Sequence, residues 1–136
     1  MIRNYLILVG VLGILAVSLG AFGAHKLASL VSEKSLSAFQ TGIQYHFYHT
    51  LAILGTLQLF PLISNTNLLK KAILAFAVGI LLFSGSLYFL ACSQYIGIEH
   101  WNKIIGPITP IGGLAFIIGW GILFYVGLKE MKFKDE

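Results

Sequence analysis

Residues 44–49 of this 136-residue chain include Gln44, Tyr45, His46, Tyr48 and His49, side chains with the chemistry to hold a metal, a haem or a polar ligand. On a helix, Gln40, Gln44 and Tyr48 stack at i, i+4 spacing, and Thr41, Tyr45 and His49 form an adjacent stack, so together they make one polar and aromatic face. Neutral imidazole is a good ligand for metals and for haem iron, and the chain has His25, His46, His49 and His100. His46 and His49 can face one site, but no carboxylate or second cysteine stands beside them, and Cys92 is the only cysteine. No metal site and no cofactor are therefore assigned. A phosphate-cradling Gly-Lys-Ser/Thr loop, a nucleophile elbow and an HExxH pair are all missing, so no catalysis is expected.

The elements that must carry these residues are long apolar runs. Tyr5–Ala24, Ile43–Ile63, Ala72–Cys92 and Pro110–Leu128 contain no Asp, Glu, Lys or Arg, and roughly 20 such residues on a helix cross ~30 Å of hydrocarbon. The runs lack the alternation of barrel strands, and only helices or closed barrels satisfy every backbone polar group in lipid. The expectation is an all-α integral membrane protein: a left-handed or mixed bundle of four transmembrane helices, approximately 5–24, 35–63, 70–93 and 110–129, in one domain covering 1–136. The 57% hydrophobic content, 10% charged content and mean hydropathy of +0.87 agree with it. The first run is longer than the ~7–15-residue apolar core of a signal peptide and is read as a span. The net charge of +4 comes from basic residues between and after the runs, so no nucleic-acid partner is expected.

Charge orients the bundle. Arg3, Lys70, Lys71, Lys129, Lys132 and Lys134 fall on one side and Lys26, Lys34 and Lys103 on the other, so the positive-inside rule places both termini in the cytoplasm of a bacterial inner membrane. The polar residues then crowd the outer half: His25, Gln44, Tyr45, His46, Tyr48, His49, Ser84, Ser86, Tyr88 and Thr109. His49 is expected to point into the bundle toward Ser84, Ser86 and Thr109, with His46 nearer the surface and more accessible. Such a face must meet partner helices or a wet cavity, because lipid offers its donors nothing. It is read as an interhelical hydrogen-bond network, which makes the protein a structural or interaction component of the membrane. The alternative is an outward-facing pocket that binds or transports a quinone, haem, metal ion or lipid headgroup. None of the four apolar runs carries a charged side chain, so the coupling group of a proton- or sodium-driven transporter is missing. Small residues make a second pattern: Gly13, Ala16, Gly20 and Ala24 on the first helix, Gly79 on the third and Gly119 on the fourth. They allow close helix packing within the bundle or, secondarily, a homo-oligomer or contact with another membrane protein.

Four segments together resemble a known family: Gly20-Ala21-Phe22-Gly23-Ala24-His25, Gln44-Tyr45-His46-Phe47-Tyr48-His49, Phe83-Ser84-Gly85-Ser86-Leu87-Tyr88, and Ile108-Thr109-Pro110-Ile111-Gly112-Gly113-Leu114-Ala115-Phe116. The chain is similar to the small bacterial inner-membrane proteins grouped as domain of unknown function 423, which have small eukaryotic relatives. The resemblance runs through all four helices in order. It implies a four-helix membrane protein and leaves the biochemical role open.

Overall fold

The computed structural model describes residues 1–64 and 66–129. Lys132 and Lys134, which enter the charge tally, lie outside the described residues. Within them the chain forms helices and no strand: α1 (Ile2–His25), α2 (Glu33–Gln58), α3 (Thr66–Gly79), a π-helical stretch (Ile80–Ser84), α4 (Gly85–Ile96), the short α5 (Asn102–Ile105) and α6 (Ile108–Lys129). The segment from α3 through α4 is one continuous rod, so the molecule has four long rods. Three of them, Ile2–Ser29, Thr66–Ile96 and Glu99–Lys129, are long and apolar enough to cross a membrane. The remaining rod, α2, is not among them; its residues 35–50 include Ser35, Ser37, Gln40, Thr41, Gln44, His46, His49 and Thr50.

The boundaries have local causes. Ser32 caps α2, its Oγ accepting from the Ser35 N–H at 3.2 Å. The expected second helix runs to residue 63, but α2 stops at Gln58 and turns. Pro61 has no N–H to give and disfavours helical geometry at Phe60, so the apolar run outlasts the helix. At the far end of α4, Gly97 adopts φ 76° and the Ile98 N–H reaches back to the Ser93 carbonyl at 3.0 Å, a left-handed cap that needs glycine.

Packing is uneven. α1 lies mainly on α2, and α6 mainly on α3 and the π-helical stretch, while α2 and the α3–α4 rod run against each other through the middle. The central core includes Ile53, Leu57, Leu69, Ile73, Phe76 and Phe116; a smaller one at the opposite end joins Leu27, Phe39 and Ala91. α3 and α6 interlock through glycines: the Phe116 ring lies over Gly79, the Phe76 ring over Gly119, and Gly112 abuts the Phe83 backbone. No side chain fits at those three glycines without displacing a ring or a backbone. On α1 the close approach is at Gly23 against Phe39, with Ala16 also buried. Of the other stripe members, Gly13 has no neighbour, Gly20 meets Ile43 at ordinary distance, and Ala24 is exposed.

Candidate functional site

α2 carries the histidines, and its neighbours determine what each can do. The His49 ring lies flat on Phe116 of α6, with centroids 3.5 Å apart and planes 9° from parallel. Its Nδ1 is 2.8 Å from the Tyr45 carbonyl and its Nε2 is 3.1 Å from Nε1 of Trp120. An indole N–H only donates and a carbonyl only accepts, so Nε2 must be the bare acceptor and Nδ1 must carry the proton. His49 is thus a neutral ring with both nitrogens engaged, and it has no lone pair left for a metal or haem iron. Ser84, Ser86 and Thr109, the partners expected for it, do not hydrogen-bond to it; Trp120, which the residue pattern did not single out, does. The available signal was the i, i+4 pair Phe116 and Trp120 on the fourth run.

The backbones of α2 and α6 approach the α3–α4 rod more closely than each other and meet through side chains, His49 on Phe116 and Trp120, which leaves a groove between them. The groove has a volume of about 820 Å³ and walls formed by Tyr45, Tyr48, His49, Phe83, Phe116 and Trp120, with Pro110, Gly113, Leu114 and Ile117 on the α6 side. It opens sideways: Tyr48 is 58% exposed, Trp120 52% and Ile117 68%. Tyr45 packs on Phe83 at 4.7 Å between centroids and stacks toward His49 at 5.9 Å. The hydroxyls of Tyr45 and Tyr48 have no hydrogen-bond partner among the described residues. No Asp, Glu, Lys or Arg lines the groove.

The other candidate residues lie elsewhere. His46 is as buried as His49, at 3% exposed against 5%, contrary to the expectation that it is the accessible one. It sits where α1, α2 and α4 meet: Nδ1 is 3.1 Å from the Tyr88 hydroxyl, and Nε2 is buried with no hydrogen-bond partner among the described residues. Both His46 and Tyr88 line a separate crevice of about 250 Å³ with Leu12, Leu15 and Ile80. Ser86 and Thr109 join α4 to α6 by a 2.6 Å hydroxyl pair, and Ser86 also donates to the Phe83 carbonyl at 2.9 Å. Ser84, in the π-helical stretch, is buried with its hydroxyl unpartnered. Gln44 and His25 are exposed. The ten polar candidates thus divide among the groove, the crevice, the α4–α6 seam and the surface, with Ser84 buried apart in the π-helical stretch. No cluster of three His, Cys, Asp or Glu with metal-binding geometry occurs among the described residues.

Long apolar helices joined through buried histidines, with most of α1 and α6 left facing outward, define a multi-pass α-helical membrane protein. Residues 19–113 match the family described as "Protein of unknown function (DUF423)", and the chain belongs to it. It is 40% identical over 129 residues to the UPF0382 membrane protein YwdK of Bacillus subtilis, covering 95% of this chain and 99% of that one. It is 40% identical over 128 residues to a UPF0382 membrane protein of Haemophilus influenzae, covering 94% and 96%. With the UPF0382 inner membrane protein YgdD of Escherichia coli K12 it shares 38% identity over 133 residues, covering 97% and 94%. No solved structure matches the chain. The protein is a multi-pass component of the bacterial inner membrane.

Proposed function

We propose that the protein crosses the membrane four times with both termini cytoplasmic, and that it works without catalysis as an interaction module whose binding surface is the lateral groove between α2 and α6. The saturation of His49 carries this reading. Its two nitrogens are engaged by Tyr45 and Trp120, so His49 ties α2 to α6 and offers the groove no ligating atom. The widest opening left to another molecule is an aromatic groove that faces the bilayer. The fourth span rests on α2 lying between α1 and the α3–α4 rod, with its polar side chains turned partly toward those neighbours. Orientation rests on Arg3 and on Lys70 and Lys71, which line cavities at one end of the bundle, together with the sequence tally.

The groove is tested with the full-length Trp101→Phe variant, in which Trp120 is the remaining tryptophan. In vesicles of phospholipid brominated along the acyl chain, Trp120 fluorescence is expected to be strongly quenched relative to ordinary lipid. Unquenched emission would mean that another chain or the bundle itself covers the groove, and the lateral binding surface would be abandoned.

A further inference from the structure

We propose that the groove between α2 and α6 binds the ring of a lipid-soluble quinone, with the hydroxyls of Tyr45 and Tyr48 donating to its carbonyl oxygens. This rests on the groove being a binding surface, and the chemistry of its walls selects the occupant. An anionic headgroup finds no cation there, because no Lys or Arg lines the groove. Haem needs cations for its propionates, and no Lys or Arg lines the groove; the His49 nitrogens are also both engaged. A metal ion lacks a ligand cluster among the described residues. The occupant is therefore neutral, and the lateral opening requires it to arrive from the bilayer.

Depth and hydrogen-bond polarity narrow the class further. Ile43 of α2 meets Gly20 of α1, which lies inside the first apolar run, and Tyr45 and Tyr48 lie deeper along α2 than Ile43. Both phenols therefore sit at hydrocarbon level, where donors without acceptors are unfavourable. A saturated acyl chain or an apolar helix face filling the groove leaves both hydroxyls unpaired. The only other polar groups on the wall, the His49 nitrogens and the Trp120 N–H, are already paired with each other or with the Tyr45 carbonyl. The free polar groups of the wall are thus two phenol hydroxyls, each with a proton to donate, and its aromatic planes suit a flat ring: Tyr45 against Phe83, and His49 flat on Phe116. A neutral, flat, membrane-soluble molecule with carbonyl oxygens to receive these two donors is a quinone headgroup. At about 820 Å³ the groove has room for the ring and the start of a tail.

The test uses the full-length Trp101→Phe protein in detergent and two probes of one shape. Duroquinone has the carbonyls and no free ring position for Cys92 to attack; durene is the same methylated ring without oxygens. Duroquinone is expected to quench Trp120 saturably and raise Tm. Durene is expected to displace it about tenfold less effectively, and Tyr45→Phe/Tyr48→Phe is expected to bind duroquinone about tenfold more weakly. Tyr48→Phe alone, at a residue 58% exposed, keeps the ring and is expected to show part of that loss with the Tm of the parent. Equal duroquinone affinity in parent and phenylalanine variants, or durene binding as well as duroquinone, overturns the quinone assignment while leaving the groove as a binding surface. Failure of both probes to act saturably, with Trp120 also shielded from brominated lipid, overturns both.

Discussion

Nε1 of Trp120 on α6 donates to Nε2 of His49 on α2 across 3.1 Å, a direct polar bond between two helices whose backbones pack mainly on a shared neighbour. It sets the tautomer of His49, fixes the indole on the groove wall, and leaves the imidazole nothing with which to bind a metal.

Trp120→Phe keeps a ring on the wall but removes the donor, so it is expected to lower stability in detergent by about 1 kcal/mol, the scale of an interhelical hydrogen bond in a membrane protein. His49→Ala also removes the ring stacked on Phe116 and should cost about 2–4 kcal/mol. Nitrogen NMR of the labelled parent should report a neutral ring protonated at Nδ1. Zinc or haem should leave the Tm of the parent unchanged; an increase that His49→Ala abolishes would show that the imidazole is free to ligate.

The glycines of the α3–α6 seam should be far less tolerant than those of α1. A Cβ at residue 119 falls 2.5 Å from the Phe76 ring, whereas one at residue 13 meets nothing within 4 Å. Gly119→Ala is expected to destabilise by about 1–3 kcal/mol through overpacking. Gly13→Ala should be neutral or slightly stabilising, since alanine favours the helix. Matching thermal unfolding curves for the two variants would contradict the interlock.

Orientation is open to a fusion experiment. A reporter that is active only in the cytoplasm, joined after Glu136, should be active, and its periplasm-specific counterpart silent. The reverse pattern would place the termini and the Lys70–Lys71 end outside the cell.

Much of the architecture was legible because the membrane imposes it. Runs without charge must be helical, and their lengths mark the rods; the family was visible in four short segments. Misplaced details had local causes. The second helix was drawn through Pro61, although a residue lacking an N–H argued for the stop at Gln58. His46 was expected to be the accessible histidine because it lies around the helix from His49 and nearer the end. A helical wheel does not show that α1 and α4 close over that side as well, bringing Tyr88 to its Nδ1.

The residues alone determined that this chain inhabits a bilayer, that α2 carries its polar face, and that His49 turns inward, since each follows from the cost of placing polar groups in lipid. Which helices meet, and at what height, was decided by packing. Phe76 over Gly119 and Phe116 over Gly79 lock α6 against α3 in one register, and that register carries Trp120 to His49 and leaves Ser86 to pair with Thr109. Hydrophobic pattern specifies that faces are buried but not which ring enters which glycine hollow, because that choice depends on close-contact shape between segments far apart in the chain.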